Sequence, residues 1–138
     1  MKMKFSHFAA SCVLLMSAGV GAVAFAPVGE LPLLKSLDRG LWNFRAVGGG
    51  AAGAATSKLC VGDALRLARI QHLDAQCTHY VVRSAPNSVT VSYSCKGQGQ
   101  GLTTIRKESG KLIHIQSQGI RNNAPFSFSV EGRHAGTC

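Results

Sequence analysis

Alternating apolar and polar positions dominate the second half of the chain and predict β-strands. The segment from Cys77 to Cys95 contains two such runs around a Pro-Asn turn, and a cysteine stands at each end. Folded back as a hairpin, the two runs place Cys77 opposite Cys95 and Val81 opposite Val91 on one largely apolar face. The pattern therefore predicts a half-buried hairpin closed by a disulfide.

The turn residues of this hairpin favour a different pairing. Pro is preferred as the first central residue of a two-residue turn and Asn as the second, which pairs Ala85 with Ser88 and shifts the register by one. The apolar pattern instead places Arg83 opposite Val89. Because a one-residue slip would move the buried face into water, we expect the pattern to prevail, with a longer loop or a bulge at the tip.

Further strands are predicted on both sides of this hairpin, over residues 41–47, 57–60, 102–107, 111–118 and 126–130. Residues 102–118 should form a second hairpin, in which a three-residue loop gives Gly110 a left-handed conformation and places Ile105 opposite Ile113. Residues 119–125 are expected to form a loop. Trp42, the only tryptophan of the chain, is predicted to anchor the core.

One helix is predicted, over about residues 62–71. Asp63 can cap its N-terminus, and Ala64, Leu65 and Ala68 give it an apolar stripe. Six or seven strands, short turns and one short helix make the chain mainly β. The expected architecture is an antiparallel meander, a curved sheet or a partly closed barrel, with the helix against a face or an end.

The first residues have the pattern of an export signal. Lys2 and Lys4 precede an apolar run that ends in the small residues Ala22-Val23-Ala24. We expect cleavage after Ala24, so that residues 1–24 are a signal peptide, 25–38 an extended leader and 39–138 a single domain. The alternative is an uncleaved membrane anchor, but the run is shorter than the ~20 residues that a span requires. The predicted location is the periplasm or the exterior, with no stable membrane span after cleavage.

Four cysteines follow the signal segment, and an even number in a small exported domain predicts two disulfides. Three pairings of four cysteines are conceivable, and the hairpin geometry favours Cys77–Cys95, which leaves Cys60–Cys138. A zinc site is the alternative, but the cysteines are widely spaced and no Cys-x-x-Cys occurs. The sequence therefore predicts no metal and no cofactor.

The chain is basic, and its formal net charge is +9. Without Lys2 and Lys4, thirteen of the fifteen Lys and Arg remain against six acidic residues, which gives about +7. With an export signal, phosphate or carboxylate groups of the cell envelope are favoured as partners over nucleic acid. The alternative is that scattered charge only keeps the protein soluble. The candidate contacts for an anionic ligand are Arg66, Arg69, Arg106, Lys107 and Lys111.

No catalytic motif stands in the sequence. It contains neither a Gly-x-Ser-x-Gly nor a His-Glu-x-x-His segment, and no two carboxylates are brought together by short spacing. His79 lies opposite Tyr93 in the first hairpin, and the expectation is a half-buried histidine bonded to the tyrosine hydroxyl rather than an acid/base pair. The prediction is that the protein is not an enzyme.

Several short motifs occur in a fixed order along the chain. They are Gly40-Leu41-Trp42, Leu59-Cys60, the Val-x-Tyr-x-Cys that ends at Cys95, and a terminal Gly-Arg-x-x-Gly-x-Cys. From residue 39 onward this combination resembles a family of small exported bacterial domains catalogued as domain of unknown function 3617. The Gly/Ala-rich run 48–55 departs from that family. The resemblance implies a periplasmic domain and transfers neither an activity nor a site residue.

Two functional hypotheses follow. The first is a non-enzymatic binding module whose curved sheet holds a lipid acyl chain or an anionic component of the envelope. The alternative is an inhibitor of a cell-wall lytic enzyme, because Val-x-Tyr-x-Cys and a Ser-Gly before a basic residue are similar to parts of small periplasmic lysozyme inhibitors. Charge disfavours the second, since lysozymes are usually basic and a basic partner would be repelled.

Overall fold

One antiparallel sheet of seven strands, together with two short helices, makes up the part of the chain that the structure describes. The computed structural model describes residues 31–48 and 57–138. The order across the sheet is β2-β1-β7-β6-β5-β4-β3, so β2 and β3 are its edges. The strands are β1 (Gly40–Ala46), β2 (Lys58–Val61), β3 (Cys77–Ala85), β4 (Ser88–Cys95), β5 (Gly99–Ser109), β6 (Leu112–Arg121) and β7 (Ala124–Gly136).

The predicted fold class is confirmed, and among the described residues the sheet is open rather than closed into a barrel. Strands β3 to β7 form a meander, and β1 joins the sheet beside β7. The signal peptide with its cleavage after Ala24, the first part of the predicted leader and residues 49–56 of the Gly/Ala-rich run lie outside the described residues.

The predicted helix forms a 3-10 helix, Ala64–His72, that packs on one face of the sheet. Asp63 caps it as expected, because its Oδ1 accepts a hydrogen bond of 2.9 Å from the Leu65 N–H. The backbone leaves helical geometry at Arg69, where two helical pieces meet at a kink. Within residues 31–48 and 57–138, no helix is long and apolar enough to cross a membrane.

The prediction of an extended leader over residues 25–38 is wrong for its second part, where Pro32–Lys35 forms the one-turn helix α1. Pro32 suits the first helical position, where its missing N–H leaves no bond unmade and its fixed φ is already helical. The segment belongs to the core, because four leucines around this helix are buried: Leu31, Leu33, Leu34 and Leu37.

The core lies between the two helices and one face of the sheet, which we call the covered face. Trp42 is fully buried and its indole Nε1 donates to the Asp38 carbonyl at 2.9 Å, so its predicted role as a core anchor is confirmed. The strands supply the largest part of this core, with side chains that include Phe44, Val89, Val91, Ile105, Ile113, Ile115, Phe128 and Val130.

The β3–β4 hairpin has the predicted register from Cys77 opposite Cys95 to Val81 opposite Val91. A bulge at Val82 then shifts the pairing by one residue. The bulge was expected at the tip of the hairpin and lies instead within β3.

Beyond the bulge, the strands pair as the turn residues require. Ala85 lies opposite Ser88 around a two-residue Pro-Asn turn, and Arg83 lies opposite Thr90. The predicted pairing of Arg83 with Val89 is therefore wrong. The bulge allows the apolar pattern and the turn preference to be satisfied in the same hairpin.

The β5–β6 hairpin differs from its predicted register by two residues. Ile105 lies opposite Ile115 rather than Ile113, and a bulge precedes a turn shorter than expected. Gly110 does not have the positive φ that was predicted for it. The following segment 119–125 is not a loop, because β6 and β7 continue to a tight turn at Asn122 and Asn123.

Both asparagines of that turn have a positive φ, 49° and 64°. Two-residue hairpin turns of the primed type require this conformation, and asparagine tolerates it better than most residues.

Both predicted disulfides form, and each one attaches an edge strand to its surroundings. Cys77 on the edge strand β3 is bonded to Cys95 on β4, with 4.0 Å between their Cα atoms. Cys60 on the edge strand β2 is bonded to Cys138, which follows β7, with a Cα separation of 5.7 Å. The two bridges thus hold the strands that have a neighbour on only one side.

Candidate functional site

The second face of the sheet, which we call the open face, points away from the helices and is polar. Successive side chains of a strand alternate between the two faces. Five open-face residues lie opposite one another across five strands, and we call them the charged row: Arg45, Glu131, His114, Arg106 and Ser88.

Two arginines meet at a single carboxylate in this region. Glu131 Oε1 accepts hydrogen bonds from Nη2 of Arg45 at 3.2 Å and from Nε of Arg133 at 2.8 Å. The Glu131 side chain is only 12% exposed, whereas those of Arg45 and Arg133 are 72% and 63% exposed. The carboxylate therefore lies beneath two guanidinium groups, which it holds side by side at the surface.

The electrostatics of Glu131 agree with this arrangement. The hydrogen bond from Arg133 lowers the pKa of the Glu131 carboxyl, and the charges of Arg133, Arg45 and His114 lower it further, against the opposing effect of burial. Glu131 is consequently ionised at neutral and mildly acidic pH. The two guanidinium groups keep their shared anchor over that range.

These residues line a shallow cavity of about 410 Å³, which we call the arginine groove: Asn43, Phe44, Arg45, Glu131 and Arg133. Farther along the charged row, Arg106 Nη2 lies 3.2 Å from Glu108 Oε1, and His114 Nε2 lies 3.9 Å from the same oxygen. Planar guanidinium groups with free N–H donors bind carboxylate and phosphate in a bidentate geometry. The groove therefore has the chemistry of an anion site.

Of the five cations predicted as ligand contacts, Arg106 alone lies in the charged row. Lys107 lies on the covered face, where its Nζ donates to Ser36 Oγ at 2.7 Å. Lys111 is exposed in the turn between β5 and β6. One of the three predicted β5–β6 residues thus lies in the charged row, and none of the three lines the arginine groove.

The two helix arginines do not join this site. Arg66 Nη1 donates to the Cys60 carbonyl at 3.4 Å, beside the edge strand β2. Arg69 turns back on its own helix, and its Nη1 donates to the carbonyls of His72, Leu73 and Ala75 at 3.1, 3.0 and 2.7 Å. Arg69 therefore satisfies carbonyls at the helix end instead of facing solvent.

Arg45, Arg133 and His114 were not predicted from the sequence as contacts for a ligand. Arg45 and Glu131 are 86 positions apart in the chain. They meet only because β1 pairs with β7 in this topology. Their positions between inward-facing residues indicated solvent exposure, but nothing in the local sequence indicated that they would share a carboxylate.

A second polar group lies buried under the 3-10 helix. His72 Nδ1 is 3.1 Å from the Tyr93 hydroxyl, and His72 Nε2 is 3.2 Å from the Gln98 carbonyl. The predicted bond between His79 and Tyr93 is wrong, since His79 Nε2 is buried with no hydrogen-bond partner and its ring lies 6.2 Å from that of Tyr93. Burial raises the pKa of Tyr93 to about 12, against a smaller lowering by its hydrogen bond with Ser117.

Hydroxyl groups continue this cluster toward the helix. Thr103 Oγ1 donates to the Ala68 carbonyl at 2.6 Å and lies 2.7 Å from Ser117 Oγ. Thr103, Ser117 and His72 are all buried, so the cluster connects the helix to the sheet in the interior. The buried polar groups of the cluster are hydrogen-bonded to one another and to the backbone, so a structural role explains why they are there.

Among residues 31–48 and 57–138, no group of three or more His, Cys, Asp or Glu side chains is placed to hold a metal ion. Comparisons with protein-family models, curated proteins and solved structures gave no match. The resemblance drawn from the short motifs therefore stays a prediction.

Proposed function

We propose that this protein is a non-enzymatic module that binds an anionic component of the cell envelope through the arginine groove. The observation that carries the proposal is the pair of exposed guanidinium groups of Arg45 and Arg133, bonded to one largely buried carboxylate. The absence of enzymatic activity and the envelope location are parts of the same proposal.

Preorganisation is the physical reason for preferring this site. A free arginine side chain loses rotamer freedom when it grips a ligand, which reduces affinity. Glu131 already restricts both arginines, so a carboxylate or phosphate meets donors that are largely in place. The carboxylate accepts one N–H from each guanidinium, and both arginine side chains are largely exposed, so further N–H donors are accessible to a ligand.

The open sheet favours an anionic group over an acyl chain as the part that is recognised. On the covered face, Trp42, Ile105 and Ile115 are fully buried in the core. A cavity of about 520 Å³ at the margin of this core is lined by charged as well as apolar residues, among them Lys35, Asp38 and Asp63. The groove beside Glu131 is lined chiefly by polar residues. The alternative of an inhibitor of a lytic enzyme stays a prediction, and the net charge, about +7 without Lys2 and Lys4 of the predicted signal segment, disfavours a basic partner.

Isothermal titration calorimetry with polygalacturonate, a carboxylated polymer, tests this proposal. Arg133→Gln should weaken binding about tenfold or more, since hydrogen bonds to charged groups contribute about 1.5–3 kcal/mol each. Arg121→Gln is the matched control, because it removes the same charge from an exposed arginine at the β6–β7 turn. It should change the affinity by less than about twofold, the size expected for a distant screened charge.

Two results would contradict the proposal. One is an equal loss of affinity in both variants, which would mean that binding of the polymer depends only on the net charge of the protein. The other is no binding by the unmodified protein. Thermal unfolding of both variants should be close to that of the unmodified protein, because Glu131 keeps its hydrogen bond from Arg45 in Arg133→Gln and Arg121 is exposed.

A further inference from the structure

Uncharged hydrogen-bonding side chains cover the open face beside the charged row. On each strand, the open-face residue two positions from the charged row belongs to a first row of opposing residues. The next open-face residue, two positions farther on, belongs to a second row. We call these rows together the neutral field: Thr90, Thr104, Gln116 and Ser129, then Ser92, Leu102, Gln118 and Ser127. Seven of the eight side chains carry a hydroxyl or an amide, and none carries a charge.

Apolar surface borders and interrupts this field. Tyr80 lies opposite Ser92 at the β3 end of the second row, and it is exposed, as is Leu102 within that row. A tyrosine ring with one exposed face and a polar tip suits contact with a ligand that has both apolar and hydroxyl surface. On the first row the border is Arg83, opposite Thr90.

The neutral field begins one row away from the charged row, whose members Arg45 and Glu131 also line the arginine groove. Rows on one face of a strand follow one another at about 7 Å, twice the rise per residue. A cavity of about 470 Å³ lies over the second row and is lined in part by Ser92, Gln100, Leu102, Gln118 and Ser127. An extended chain anchored at Arg45 and Arg133 would therefore have its next units over hydroxyl and amide groups.

We infer that the envelope component bound at the open face is an anionic polysaccharide, an inference that rests on the proposed function. Its acidic group occupies the arginine groove, and its neutral hydroxyl groups exchange hydrogen bonds with the neutral field. Hydroxyls and amides both donate and accept, so they match the hydroxyls of a sugar chain. Poly-L-glutamate offers these side chains one backbone amide per carboxylate, whereas each galacturonate unit offers two hydroxyls, so the polypeptide should gain less from the neutral field.

A comparison of two polymers tests this inference. Calorimetric titrations with polygalacturonate and with poly-L-glutamate, at equal carboxylate concentration and ionic strength, measure whether the hydroxyl groups contribute. We expect polygalacturonate to bind at least about tenfold more tightly, the effect of one or two neutral hydrogen bonds together with the tyrosine contact.

Substitutions in the neutral field and at Tyr80 beside it test where on the protein the difference in affinity between the two polymers arises. Gln118→Ala and Tyr80→Ala should each weaken polygalacturonate binding about three- to tenfold and leave poly-L-glutamate binding within about twofold. Gln76→Ala is the matched control, because Gln76 is exposed and precedes the edge strand β3, outside the two rows. It should change neither affinity.

The outcomes separate the inference from the proposed function. If both polymers bind equally and the neutral-field variants change neither affinity, while Arg133→Gln weakens both, the inference is overturned and the proposed function stands. If neither polymer binds, both are overturned. Unchanged thermal unfolding of Gln118→Ala and Tyr80→Ala shows that a loss of affinity does not come from unfolding.

Discussion

Two adjacent rows of the same strands show how differently the two faces of the sheet are used. On the covered face, Val89, Ile105, Ile115 and Val130 lie opposite one another and are buried. One residue along each strand, on the open face, the opposing residues are Ser88, Arg106, His114 and Glu131. The covered-face row is buried away from water, whereas the charged row is in contact with water.

This difference indicates that the side chains that stabilise the sheet are separate from the side chains that are available to contact a ligand. Burial of apolar area contributes most of the favourable free energy of folding, so the covered face determines stability. The open face contributes little to that term, and its residues are free to hold a ligand. Substitutions on the two faces should therefore have different consequences, which the following predictions measure.

The largest expected effect is the loss of Trp42 from the covered face. Trp42→Ala removes a fully buried ring and its hydrogen bond to the Asp38 carbonyl, so the free energy of unfolding should fall by about 3–5 kcal/mol. Tyr80→Ala removes an aromatic ring from the open face and should change it by less than about 0.5 kcal/mol. Urea unfolding followed by circular dichroism measures both. Equal losses would contradict the division between the faces.

The disulfide of the β3–β4 hairpin should have the next largest effect. Its cysteines are 18 positions apart, and for a closed loop of that size the chain-entropy account gives about 3 kcal/mol. The double variant Cys77→Ala with Cys95→Ala should lose stability by about that amount in urea unfolding. A loss below about 1 kcal/mol would mean that the edge strand β3 is held by its hydrogen bonds and side-chain contacts alone.

A glycine on the covered face should give a smaller effect. A Cβ on Gly101 would stand 2.5 Å from the Tyr93 hydroxyl oxygen, which is also hydrogen-bonded to His72 Nδ1 and therefore not free to move away. Gly101→Ala should therefore lower the free energy of unfolding by about 1–3 kcal/mol.

Gly62→Ala is the control for Gly101→Ala. A Cβ at Gly62 meets nothing within 4 Å, and its φ is not in the left-handed region. The substitution should leave stability unchanged or raise it by up to about 1 kcal/mol, through the unfolded chain. If both alanine variants lose the same stability, the close contact with Tyr93 does not explain the effect.

The smallest expected effect is a pH dependence of the free energy of unfolding that comes from His79 on the covered face. Burial lowers the pKa of His79, the charge of Arg69 lowers it further, and Asp63 opposes them. Between the lowered pKa and the ordinary value of 6.5, the unfolded state binds more protons than the folded state. The free energy of unfolding should therefore fall as the pH falls below that value.

His79→Gln removes this titration, so the fall in stability between pH 7.5 and pH 5.5 should be smaller in the variant. Urea unfolding at the two pH values measures it. An identical fall in both proteins would assign the pH dependence to other groups.

The two hairpins explain which parts of the fold the sequence predicts. In the β3–β4 hairpin a cysteine at the end of each strand fixes one pair, and the register from that pair to Val81 is right. In the β5–β6 hairpin no such pair exists. A two-residue shift leaves each side chain on its original face, so the apolar pattern is equally satisfied by Ile105 opposite Ile113 or Ile115.

Positions that depend on contacts between distant segments were the least predictable. The one-turn helix α1 was missed because the two prolines and the glycine of residues 25–35 suggested an extended chain. The buried leucines around α1 explain why it folds against the core. The histidine that is hydrogen-bonded to the Tyr93 hydroxyl is His72 from the helix, although His79 lies opposite Tyr93 in the paired strand. The arginine groove was missed for the same reason, since β1 and β7 meet only in the folded sheet.

The most direct test of the open face as the binding surface is a nuclear magnetic resonance titration of side-chain N–H signals with polygalacturonate or poly-L-glutamate. The account predicts shifts of the Nε–H signals of Arg45 and Arg133, while the indole N–H of Trp42 on the covered face stays unchanged. Shifts of the Trp42 indole and of amides in the helix Ala64–His72, with both arginine signals unmoved, would contradict it.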